Sequence, residues 1–191
     1  YGGSHYSELD QINRSNVSQL EVAWIWHAEE FGSTIECNPI IIGGRVYLTT
    51  PRVHCVAVDA RTGKTLWRFN PWTEGGRGGG LSRGVSYWTD GKVDERIFFS
   101  GGNYLYALDA KTGNPIPSFG EKGRISHRDG FDTDVFFMSV GNNTPGIVWK
   151  DLLILGSTTG EGPQPCAPGH IRAFDVRTGE RKWIFHTIPH P

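Results

Sequence analysis

Long hydrophobic runs are missing from these 191 residues, and so is an excess of charge of either sign. No stretch approaches the ~20 apolar residues of a membrane-crossing helix. No charged-then-apolar leader stands at the N-terminus; an exported parent protein is expected to have shed its leader or anchor from this stretch. Nineteen basic against twenty acidic residues leave a formal charge of −1, which gives nucleic acid no electrostatic handle. Cysteine is scarce. Cys37, Cys55 and Cys166 are odd in number and widely spaced, which suits neither a zinc site nor a disulfide framework. One pairing among them stays open, and small buried residues without chemistry is the favoured reading. The seven histidines (His5, His27, His54, His127, His170, His186 and His190) show no i, i+4 pair on a helix and share no loop, so no metal site is expected among them. A nucleophile elbow is also lacking. The glycines at 75–80 follow no strand-to-helix pattern, which excludes a phosphate cradle.

What is present is glycine and aromatic surface: 26 Gly, 7 Trp and 10 Phe, with few helix-forming runs, the composition of an all-β chain. One pattern occurs three times. Ala57-Val-Asp59-Ala-Arg-Thr62-Gly63, followed by Trp67, is matched by Ala107-Leu-Asp109-Ala-Lys-Thr112-Gly113. The third copy is Ala173-Phe-Asp175-Val-Arg-Thr178-Gly179, followed by Trp183. In each copy the Asp can accept from the turn's own N–H groups, Thr-Gly supplies a tight turn, and the Trp is large enough to dock on a neighbour. A single Asp-x-x-Thr-Gly is a common hairpin turn; three copies behind β-branched and aromatic runs mark a repeated β unit, the blade of a propeller.

Residues 1–34 form a lead-in that ends in an alternating run around Trp24 and Trp26. Blade repeats are expected over 35–72, 92–117 and 144–187, with insertions at 73–80 and roughly 117–140, all in one partial β-propeller domain spanning 1–191. Trp67 and Trp183 should be buried between blades. In the second copy Pro117 stands where the others carry Trp, which should weaken one docking contact. Three to four blades do not close a ring, so the chain is expected to be the N-terminal portion of a longer protein, the favoured reading, or a naturally shortened relative that pairs its open edges by self-association.

The run from Leu9 through Asn13, Asn16 and Leu20 to Trp24, together with the blade repeat, resembles the quinoprotein dehydrogenases. These are eight-bladed propellers with tryptophan-docking motifs that bind pyrroloquinoline quinone (PQQ) and calcium on the ring axis. The resemblance covers essentially the whole chain but only the first third or so of such an enzyme. It implies oxidation of a sugar, polyol or alcohol hydroxyl by hydride transfer to PQQ, with a quinone or cytochrome as electron acceptor, in the bacterial periplasm. It implies that Glu36, ahead of Pro39, meets a PQQ edge. Arg83, in a segment leading to Tyr87 and Trp88, would reach the quinone oxygens, where an always-charged guanidinium suits developing negative charge. Thr158, Thr159 and Gly160 would grip PQQ carboxylates, and Glu161 would ligate calcium as a hard oxygen donor. Asn142 occupies a position where the family often carries a hydroxyl residue against the cofactor. The adjacent cysteine pair of the alcohol-oxidising branch is replaced by glycines 78–80. The family's catalytic aspartate falls beyond residue 191, so this chain alone is expected to be inactive. The competing reading is a non-catalytic propeller scaffold; charged groups converging on the axis argue against it.

Overall fold

The structure, a computed structural model, describes residues 8–31, 34–72, 78–160 and 165–188. Three four-stranded antiparallel sheets follow one another along the chain. The first is built from β1 (Ile40–Ile42), β2 (Arg45–Thr49), β3 (Cys55–Asp59) and β4 (Thr65–Phe69). The second holds β5 (Ser86–Thr89), β6 (Glu95–Gly101), β7 (Tyr104–Asp109) and β8 (Arg124–Ser126). After β9 (Val140–Gly141), the third comprises β10 (Ile147–Trp149), β11 (Leu152–Leu155), β13 (Ile171–Asp175) and β14 (Arg181–Phe185). Between them β12 (Thr158–Thr159) pairs with β9 as a short ribbon. Apart from one 3-10 turn at Val17–Gln19, the described residues are strand, turn and loop, the expected all-β partial propeller.

The second sheet outruns the 92–117 repeat at both ends. Its fourth strand, β8, lies inside the segment read as an insertion, because the strand carries no docking Trp to announce it and its buried apolar residue is Ile125.

The repeated turns behave as their chemistry requires. Asp59 Oδ1 accepts from the N–H of Arg61 (3.1 Å) and of Thr62 (2.8 Å) and from Thr62 Oγ1 (2.7 Å). Asp109 repeats this set, and Asp175 accepts from the N–H groups of Arg177 and Thr178. Trp67 Nε1 donates to the Ala110 carbonyl at 3.1 Å while its ring covers Gly113, whose φ is +75°. A Cβ at Gly113 would stand 2.6 Å from that ring, so only glycine lets the indole lie flat on the turn. Trp24 of the lead-in docks on the first sheet in the same way, through the Ala60 carbonyl (3.1 Å) and Gly63.

At the third turn the docking is carried by other residues. Arg96 Nη1 donates to the carbonyls of Val176 (3.0 Å) and Arg177 (2.9 Å), and Phe119 and Ile125 cover Gly179. The contact expected to weaken at Pro117 is thus replaced: an arginine supplies the hydrogen bonds and a fully buried Phe119 supplies the apolar cover. The expectation for Trp183 fails. Trp67 is 9% exposed and Trp183 is 38% exposed, because no further blade stands beyond the third sheet among the described residues.

Candidate functional site

Antiparallel order places the start of each first strand at the end of its sheet opposite the Asp-x-x-Thr-Gly turns. The segments leading into β1, β5 and β10 meet at that end. Asn38 N–H donates to the Arg83 carbonyl (3.2 Å), and Arg83 N–H donates to the Asn143 carbonyl (2.8 Å). Asn38 and Gly84 form a parallel bridge. Gly84 has φ +119°, and any Cβ there would lie 2.7 Å from the Asn38 carbonyl oxygen, so this crossing of backbones demands glycine. The contact of β10 with β5 marks the first strands as the inner ones, and β14 lies at the outer margin of its sheet.

This meeting of segments brings most of the sequence-predicted residues together. Arg83 Nη2 lies 3.4 Å from Glu36 Oε2, with both side chains partly exposed. The two form an ion pair that water screens. Asn142 is fixed from both ends of its amide. Its Nδ2 donates to the Gly156 carbonyl (3.1 Å), and its Oδ1 accepts from Thr144 N–H (2.6 Å) and Oγ1 (2.9 Å). Pairing of Thr158 with Gly141 and of Thr159 with Val140 brings the 156–160 turn beside Asn142. Glu161 lies outside the described residues.

A cleft of about 250 Å³ opens at this end, lined among others by Trp72, Ser100, Gly141, Asn142, Asn143 and Thr158. Ser100 Oγ is buried there without a hydrogen-bond partner among the described residues. A buried hydroxyl left so is a standing demand for a polar ligand or water. Trp72 Nε1 donates to the Arg52 carbonyl (2.7 Å), which holds its flat ring in the wall. Sequence reasoning passed over Trp72, Ser100 and Asn143; the Ser-Gly-Gly turn at 100–102, beside the repeat, was the available signal.

Two readings need correction. Cys166 is exposed, whereas Cys55 is buried and Cys37 partly so; all three are free thiols. Burial, with Cys37 nearby, pushes the Cys55 thiol up, and Cys37 Sγ accepts from Thr49 N–H (3.1 Å). The histidines are not all scattered. His170 and His186 meet with ring centroids 4.6 Å apart, and Asp132 joins them. Ile171 pairs with Phe185 across β13 and β14, so the residues just beyond that pair face each other although sixteen positions apart in sequence.

Nearby, burial first and then the charges of Arg172 and Arg128 hold the His127 ring down at about 4. Arg172, itself lowered to about 10 by burial, donates through Nη1 to the His127 carbonyl (2.9 Å) and through Nη2 to Ser157 Oγ (3.0 Å).

Comparison with known proteins bears on this geometry. Over residues 1–191 the chain matches the family model described as "PQQ: Glucose/ethanol/alcohol dehydrogenase, beta-propeller domain". It is 37% identical, over its full length and 25% of the relative's, to the dehydrogenase subunit of the quinone-dependent alcohol dehydrogenase of Gluconacetobacter polyoxogenes. It is 30% identical to the quinohemoprotein alcohol dehydrogenase of Comamonas testosteroni, over 99% of this chain and 25% of that one. The crystal structure of the Comamonas enzyme superposes with a TM-score of 0.71 at 28% identity, over 97% of this chain and 26% of that one. The quinohemoprotein alcohol dehydrogenase ADHIIG of Pseudomonas putida HK5 gives 0.75 at 26% identity, over 96% and 25%. The chain spans about a quarter of the length of these relatives.

Proposed function

Because the chain belongs to the family of PQQ-dependent glucose/ethanol/alcohol dehydrogenase β-propellers, we propose that its inner-strand end forms part of the wall that holds PQQ. The whole protein would be a periplasmic dehydrogenase of a sugar, polyol or alcohol hydroxyl. The observation that carries this reading is one cleft with a flat Trp72 wall, lined by Asn142 and Thr158 and by a Ser100 hydroxyl without a partner among the described residues, joined through the Arg83–Asn143 backbone bond to the segment that bears the Arg83–Glu36 pair.

The residues suit the group chemically. A planar, tricarboxylated ortho-quinone needs a flat apolar surface, donors for its carboxylates and a fixed cation near its oxygens. Trp72 and the Asn142 and Thr158 side chains of the cleft, with the Arg83 guanidinium on the adjoining segment, would offer these in turn. When bound, PQQ would supply a two-electron acceptor for the hydride of the substrate carbinol. Arg83 would hold its positive charge against the oxygens that become negative, and Glu36 would keep that guanidinium aimed. Asn142 ties the segment before β10 to the 156–160 turn and so fixes the spacing between two parts of the wall. Glu161, next in the chain to Gly160, would offer calcium the hard carboxylate oxygen it requires. The base that removes the hydroxyl proton would come from outside these 191 residues, and electrons would leave to a quinone or cytochrome. The exposed Trp183 and Phe185 of the third sheet would seat a further blade of the longer protein, or a second copy of the chain where that blade is lacking.

The test is dye reduction by the full-length protein, stripped and reloaded with PQQ and calcium, over a panel of alcohols and sugars. Turnover that requires PQQ, with calcium and PQQ retention weakened together by Glu161→Gln, supports the reading. Turnover indifferent to PQQ would overturn it.

A further inference from the structure

We propose that Asp132, His170 and His186 form a binding site for a first-row divalent transition-metal ion, with zinc as the reference case, at the outer margin of the third sheet. One donor atom from each residue lies within 4.8 Å of the other two. His186 Nε2 stands 2.5 Å from Asp132 Oδ2, and the His170 and His186 rings are perpendicular. In a tetrahedral shell with metal–nitrogen and metal–oxygen bonds of roughly 2.0–2.2 Å, neighbouring donors stand about 3.3–3.6 Å apart. An ion would part the His186–Asp132 contact and draw the widest pair together, each by about 1 Å, a movement within reach of side-chain rotation alone.

The backbone around the three donors is held in place. His170 sits 2% exposed at the head of β13 and His186 directly after β14, opposed by strand register. Thr187 Oγ1 donates to the Gly169 carbonyl (3.2 Å) and ties the two segments together. The loop that carries Asp132 is latched to the same sheet. Arg172 Nη1 donates to the carbonyls of His127 and Asp129, Arg181 Nη1 donates to the Gly130 carbonyl (3.0 Å), and the Arg172 guanidinium lies over the Phe131 ring at 4.0 Å. Latches of this kind fix ligand direction, and such outer contacts tune metal affinity.

Ligand chemistry selects the ion. Two imidazoles and one carboxylate suit zinc and its first-row neighbours, whereas calcium takes an all-oxygen shell. The site is therefore chemically distinct from the one proposed around Glu161, and it stands or falls independently of the PQQ reading. Three protein ligands leave one coordination position for water or a small anion.

The test uses tag-free full-length protein, cleared of transition metals with a chelator and resupplied with calcium. Zinc is titrated in competition with a chromophoric zinc indicator, and cobalt(II) serves as the spectroscopic probe. The wild type should bind one more equivalent of zinc than His186→Ala, Asp132→Asn should lose about tenfold or more in affinity for that equivalent, and cobalt should show visible bands that Asp132→Asn alters. His186 and Asp132 both reach the surface, so thermal melts of the calcium-loaded variants report whether they fold. Should His186→Ala fail to fold, Asp132→Asn and the wild-type cobalt spectrum decide alone. Equal zinc affinity of wild type and Asp132→Asn in the indicator competition, or a cobalt spectrum unchanged by that substitution, would overturn the proposal.

Discussion

The two ends of the sheets obey opposite rules. At the turn end, Asp59, Asp109 and Asp175 satisfy their own loops, and Gly63, Gly113 and Gly179 leave no room for a Cβ against Trp24, Trp67 and Ile125. At the inner-strand end, Gly141 and Gly156 face open space, the Arg83–Glu36 pair stands partly exposed, and Ser100 Oγ is buried without a partner among the described residues. One end is closed upon itself and carries stability. The other is left chemically unfinished, which is what a binding end requires.

Substitutions at the two ends should therefore separate stability from cofactor affinity. The largest stability loss is expected from Trp67→Ala, which removes a buried indole and its bond to Ala110; urea unfolding should show about 3–5 kcal/mol lost. A loss below about 1 kcal/mol would mean the docking contact is not structural.

A pH effect comes next, and it belongs to the site end. His127 titrates at about 4 in the folded chain, below its ordinary 6.5, so the unfolded state binds the extra proton between these values. Its contribution is full above about 6.5 and drains away as pH falls towards 4, worth up to about 3 kcal/mol. His127→Gln should flatten the stability profile across that window in chemical melts at stepped pH. An equally steep profile in the variant would assign the effect elsewhere.

Smaller still, Asp109→Ala should cost about 1 kcal/mol, since it strips the turn of one acceptor serving three donors. Smallest in stability is Gly141→Val, expected to change unfolding by less than about 0.5 kcal/mol because nothing lies within 4 Å of its Cβ. It should nevertheless crowd the cleft.

The sequence exposed the turn end better than the site end. Asp, Thr, Gly and Trp at fixed spacing are a local code, so the sheets and the Trp67 docking were readable from it. Where docking passed to a residue from another strand, as with Arg96 and Phe119 at the third turn, no local pattern announced it. Glu36, Arg83, Asn142 and Thr158 were readable only through family resemblance, and what joins them is the backbone crossing at Asn38, Arg83 and Asn143, which no periodicity encodes. His170 and His186 were missed for a related reason: their meeting depends on strand register.

The most direct measurement is an equilibrium titration of PQQ into the full-length, calcium-loaded apoprotein, read beside thermal unfolding. Arg83→Ala, which removes a charge-assisted donor, should weaken PQQ by about 10–100-fold with Tm unchanged. Gly141→Val should weaken it too, while Asp109→Ala should lower Tm and leave the PQQ Kd as in the wild type. If Arg83→Ala and Gly141→Val bind PQQ like the wild type, the inner-strand end is not the cofactor wall.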